Sequence, residues 1–241
     1  MNRILILFDV DGTLIERGDP SHLDALDAGF RQHFPTADHI SVRQIDFDGK
    51  VDHQILRELF RLASPEPVSE QMLSQAVATV GDAYQLAWQG RTGTEDLLPG
   101  VRSLLERMDQ DERFALGVMT GGLQRVVETK LRRLDLVDYF PIGAFGSEVD
   151  ARVDLLPLAV KRAEQHFGQT FPAHQVVVIG DTPNDVACAH SGGAACIAVA
   201  TGRFSVDDLT NCGADLVLSD LSDHEQVVTA ILSLDTGSTR T

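Results

Sequence analysis

Ile4-Leu5-Ile6-Leu7-Phe8-Asp9-Val10-Asp11-Gly12-Thr13-Leu14 begins as five apolar residues in a row and stops at an aspartate. A short apolar run without alternation reads as a strand buried on both faces, as in a parallel sheet covered by helices. Two carboxylates two residues apart, where that strand ends, can converge on one ligand, and Gly12 lets the chain turn sharply there. The same residues also read as an acidic turn, or as the start of a calcium loop, although the later spacing of an EF-hand loop is absent.

Five more short apolar runs follow: Phe114 to Met119, Ile142 to Phe145, Val176 to Ile179, Ala195 to Val199 and Leu216 to Leu218. Helical patterns separate most of them. Leu123, Val126, Val127, Leu131 and Leu134 share one helical face, and so do Leu155, Leu158, Ala159, Ala163 and Phe167. This alternation predicts an α/β fold, a Rossmann-like parallel sheet with helices on both faces. From about Ile15 to about Gly93 no parallel-strand run occurs. Helical patterns cover Leu23 to Phe34, Val51 to Leu62 and Ser69 to Trp88, with a break at Ser64-Pro65-Glu66-Pro67. The expectation is a core of residues 1–15 and 93–241 carrying a small all-helical cap domain, 16–92, inserted after the first strand. Polar, glycine-containing linkers near Glu16 to Asp19 and Gly90 to Glu95 would join the two. The polar tail from Asp235 to Thr241 is expected to fray.

A formal net charge of −16 repels nucleic-acid backbones and anionic lipid surfaces, so neither is an expected partner. Cys188, Cys196 and Cys212 show no paired spacing, which predicts free thiols in a reducing compartment. The opening apolar run is too short for a signal peptide, and no other run is long enough to span a bilayer. The chain therefore reads as cytoplasmic.

In open α/β sheets ligands bind beyond the carboxyl ends of the strands. Thr120-Gly121-Gly122 follows the second run, where a hydroxyl and free N–H groups at a helix start suit a phosphate, or where Thr120 simply caps the helix. Gly180-Asp181-Thr182-Pro183-Asn184-Asp185 follows the fourth. Asp181 at a strand tip, beside a second acidic loop, suits a hard cation, or is an acidic helix cap. A cation to neutralise phosphate charge should lie near the end of the third run. Arg152 is the candidate, and Lys161, well inside the next helix, is the runner-up.

In order and placement these segments resemble the haloacid dehalogenase-like hydrolase superfamily. Asp9-Val10-Asp11-Gly12-Thr13 is similar to its first motif, Thr120-Gly121 to its second and Gly180-Asp181 with Asp185 to its fourth. Arg152 stands where a basic residue, usually lysine, belongs. The position of the helical insert, Gly49-Lys50-Val51-Asp52 and Leu98-Pro99-Gly100-Val101 resemble the phosphoglycolate phosphatase-like branch. The resemblance implies a phosphatase acting on a small phosphorylated metabolite, with Asp9 as nucleophile and Asp11 as general acid and base. It implies Mg²⁺ held by Asp9, the Asp11 carbonyl and Asp181. Thr120, Gly121 and Arg152 would hold the phosphate, supported by Gly12, Thr13 and Asp185, with Asp185 orienting Arg152 or a metal-bound water. Lys50 and Arg57 of the cap are candidates for an anionic substrate tail. Five rivals stay open: a phosphomutase, a dehalogenase (disfavoured by Asp11), a phosphonatase using Lys50 as Schiff base, a non-enzymatic phospho-receiver-like module, and a catalytically silent binding protein (disfavoured by the intact aspartate set).

Overall fold

Strand β1 (Ile4–Phe8) is buried along its whole length. Its odd residues, Leu5 and Leu7, enter one apolar cluster, and its even residues, Ile4, Ile6 and Phe8, enter another. That double burial explains the unbroken apolar run: the pleat sends alternate side chains to opposite faces, and each face meets a helical layer. The computed structural model describes residues 3–45, 50–89 and 96–234. The expected Gly90 to Glu95 linker, Gly49 and the Asp235 to Thr241 tail lie outside them.

The other strands are β2 (Phe114–Thr120), β3 (Ile142–Phe145), β4 (Val176–Gly180), β5 (Ala195–Val199) and β6 (Leu216–Leu218). They pair in parallel in the order β3-β2-β1-β4-β5-β6. Helices α4 (Val101–Asp109), α5 (Gln124–Arg133) and α9 (His224–Leu234) cover the face that receives Phe8. Helices α6 (Leu155–Phe167), α7 (Pro183–Ser191) and α8 (Val206–Asn211) cover the face that receives Leu7. Each expected strand is present, two of them one residue longer at the carboxyl end.

Between β1 and α4 the described chain forms α1 (Pro20–Arg31), α2 (Asp52–Ala63) and α3 (Glu70–Ala87), as the helical pattern implied. These helices have an apolar cluster of their own, built around Leu26, Phe30, Leu56, Phe60, Val80 and Tyr84. One expectation is corrected here. The apolar face read on α5 is two faces: Leu123 and Val126 pack into the cluster of the insert, whereas Val127, Leu131 and Leu134 pack into the sheet core. At 3.6 residues per turn a stripe this wide spans more than 100°, so α5 serves both bodies at once.

The chain runs from β1 outward through β2 and β3, then returns to β4 on the other side of β1. The connections therefore diverge between β1 and β4, and such a switch point leaves a crevice beyond the carboxyl ends of the strands. Register aligns Phe8 with Val118 and with Ile179. The segments Asp9 to Thr13, Thr120 to Gly122 and Gly180 to Asp185 thus leave the sheet at nearly one level.

Candidate active site

Asp9 is the first residue past β1, and its N–H donates to the Ile179 carbonyl of β4 (2.9 Å). Its carboxylate is buried, as are those of Asp181 and Asp185, and one oxygen from each lies within 4.8 Å of the others. Removing like charges from water disfavours ionisation. Burial first, then the Asp185 carboxylate, pushes Asp9 up to about 7, against the pull of Arg152. Burial and the Asp9 carboxylate push Asp181 up to about 8.

Arg152 Nη2 sits 3.4 Å from Asp9 Oδ1 and forms a close ion pair with Asp185 Oδ1. Burial disfavours the guanidinium, but Asp185 and Asp9 outweigh it and raise its pKa. Among the described residues its Nε is buried without a hydrogen-bond partner. Of the two basic candidates, Arg152 thus stands beside Asp9, whereas Lys161 lies exposed on α6. Asp185 has its second oxygen committed as well: Oδ2 accepts from the Thr182 N–H (3.1 Å) and Thr182 Oγ1 (2.7 Å), closing a capping box at the start of α7. Asp185 is both anchored to Arg152 and part of the acidic cluster.

Gly12 holds φ +93°, a backbone region that favours glycine, and a Cβ there would collide with the Asp181 carboxylate. Thr13 Oγ1 donates to Asp181 Oδ1 (3.4 Å). Thr120 is buried, with its hydroxyl accepting from the Gly122 N–H (3.3 Å). Gly121 lies so close to the insert that an added Cβ would stand 2.6 Å from the Lys50 carbonyl.

Asp11 meets different neighbours. Its carboxylate stands outside the Asp9, Asp181 and Asp185 cluster and is held by Lys130 Nζ, 2.6 and 2.8 Å from its two oxygens. An ammonium on the neighbouring helix outcompetes a site already crowded with carboxylates. The expectation for a metal concerned the backbone carbonyl of Asp11 and not this carboxylate. Lys130 itself was missed, because one lysine in a helix is normally on the surface. The available signal was its place three residues after Val127 and four before Leu134, on an apolar face.

A cavity of about 100 Å³ opens among these groups. Asp9, Asp11, Thr120, Gly121 and Arg152 line it from the core, and His22, Leu26, Lys50, Asp52 and Ile55 line it from the insert. His22, Asp52 and Thr182 were not among the expected site residues. Lys50 meets the cavity, although its ammonium pairs with Glu58 (2.8 Å). Arg57 does not line it: its guanidinium pairs with Glu70 (2.9 Å) and lies 3.8 Å from Asp150. The oppositely charged Glu70, at the start of α3, and Asp150 hold that side chain away from the cavity.

The comparisons agree with the geometry. The family model described as haloacid dehalogenase-like hydrolase matches residues 5–193. A phosphoglycolate phosphatase from Vibrio vulnificus strain YJ016 is 27% identical over 228 residues, 93% of this chain and 95% of that protein. Another from Pseudomonas syringae pv. tomato is 26% identical over 96% of this chain and 80% of its own. Among solved structures, a β-phosphoglucomutase from Clostridium difficile shares the fold with a TM-score of 0.71 at 16% identity, covering 97% of this chain and 98% of that one. With strand-tip aspartates, an ion-paired arginine and a family match spanning most of its length, the chain belongs to the haloacid dehalogenase-like hydrolases.

Proposed function

We propose that the protein is a Mg²⁺-dependent phosphatase that hydrolyses a small phosphate monoester through a phosphorylated Asp9. The observation that carries this reading is the convergence of Asp9, Thr120 and Arg152, from three separate strand ends, on one small cavity. In this reading an Asp9 carboxylate oxygen attacks phosphorus as the bond to the leaving oxygen breaks. Asp11 gives that oxygen a proton. Asp11 then takes a proton from the water that attacks the phosphoryl group, and the phosphorus–Asp9 bond breaks to release inorganic phosphate. Arg152, the Thr120 hydroxyl and the Gly121 N–H meet the phosphoryl oxygens. The Arg152 Nε, unpartnered among the described residues, is a donor left over for such a ligand.

The residues fit a divalent ion. Three buried carboxylates within 4.8 Å, two of them with raised pKa values, carry negative charge that a hard cation relieves. Asp9 and Asp181 would hold it with the Asp11 carbonyl, because Asp185 is committed to Arg152 and Thr182. Bound there, it would screen carboxylate from phosphate. The cavity volume of about 100 Å³ favours a compact substrate. The names of the relatives make phosphoglycolate the first compound to try.

The test is a screen of small phosphorylated metabolites in Mg²⁺, measuring inorganic phosphate. Release from at least one compound, lost in EDTA and restored by Mg²⁺, is the expected result. Transfer of the phosphate to another position of the substrate without release would replace the phosphatase reading with a mutase.

A further inference from the structure

Lys130 has no solvent exposure, and its ammonium faces three acceptors: Asp11 Oδ1 at 2.6 Å, Asp11 Oδ2 at 2.8 Å and His22 Nδ1 at 3.3 Å. An ammonium only donates. The other ring nitrogen of His22, Nε2, lies 3.0 Å from Asp52 Oδ2. That same oxygen accepts from the Leu123 N–H (2.9 Å), and the Asp52 N–H donates to the Gly121 carbonyl (2.9 Å). Asp52 is fully buried. Burial opposes its charge, but His22, the Leu123 N–H and Lys130 prevail, and its pKa is lowered.

The path is continuous. It starts at Asp11 beyond β1, passes through Lys130 of α5, His22 of α1 and Asp52 of α2, and re-enters the core at the Gly121 loop beyond β2. A buried ammonium is costly unless its partners are in place. Lys130 shares an apolar helix face, where a leucine would pack without that cost. We propose that Lys130 is a positioning residue for Asp11, and that His22 and Asp52 hold Lys130 in register. This inference rests on the proposed role of Asp11 as acid and base.

The value of kcat/KM reports the steps through departure of the leaving group. p-Nitrophenolate leaves without a proton, whereas the alkoxide of ethyl phosphate needs one. In the full chain with Mg²⁺, Lys130→Met is expected to lower kcat/KM for ethyl phosphate about 100-fold and that for p-nitrophenyl phosphate less than about 10-fold. His22→Phe keeps the ring volume but removes both nitrogens. It should lower the ethyl phosphate value about 10-fold more than the p-nitrophenyl phosphate value, with circular dichroism unchanged and melting lowered because buried Asp52 loses a partner. If Lys130→Met fails to fold, His22→Phe decides alone. Equal losses on the two esters, or no loss on either, overturn the inference while leaving the phosphatase reading intact. A wild-type chain that releases phosphate from neither ester, nor from any screened metabolite, overturns the phosphatase reading and this inference with it.

Discussion

Asp9 and Asp11 are two residues apart, yet they meet opposite surroundings: Asp9 faces two buried carboxylates and Arg152, and Asp11 faces Lys130. The sequence made the pair legible as chemistry, because two acids at a strand end have few packing roles. It did not reveal that Lys130 separates them, since that contact spans 119 positions. Asp9→Asn should abolish turnover of p-nitrophenyl phosphate while circular dichroism stays native. Melting of the metal-free variant should be unchanged or higher, because an amide replaces a carboxylate whose charge burial disfavours. Gly12→Ala should raise the Mg²⁺ concentration for half-maximal activity about 10-fold to 100-fold, the usual penalty for disturbing the support of a ligand. A magnesium titration checks this, since the new Cβ would press on the Asp181 carboxylate from a strained φ.

At the scale of elements, the strands and core helices were legible because burial on both faces, or along a stripe, leaves a periodic record. The insert was legible as helices but not as partners of particular core residues. No periodicity says that Leu123 and Val126 leave the sheet core to join Phe60. Arg57 shows the same limit, since a basic residue near a site in sequence took Glu70 instead. Phe60→Ala, in the middle of that cluster, should destabilise the insert by about 3–5 kcal/mol, measured by chemical denaturation. If the insert is a separate cooperative unit, a second transition should appear at lower denaturant while the sheet core stays folded.

The whole molecule places its acidic tips at the switch point between β1 and β4, a feature of strand order that no single segment encodes. It also carries a marked acidic excess, and the site concentrates the same sign. Asp9 and Asp181 titrate well above an ordinary carboxylate near 4, so the metal-free folded chain holds protons there that the unfolded chain has released. Stability from this pair is therefore greatest below about pH 4 and falls as pH rises toward 7 to 8. Mg²⁺ competes for the same oxygens in their ionised form. The rise in melting temperature on adding Mg²⁺ should accordingly be larger at pH 8 than at pH 5.5, a window in which Asp52, whose pKa is lowered, stays ionised both folded and unfolded. The most direct measurement is to quench the enzyme with acid during turnover, reduce any acyl phosphate with borohydride and sequence the tryptic peptide 4–17 by mass spectrometry. The account predicts that Asp9 is converted to homoserine and Asp11 is untouched; an unmodified peptide from an enzyme actively releasing phosphate, or modification at Asp11, would contradict it.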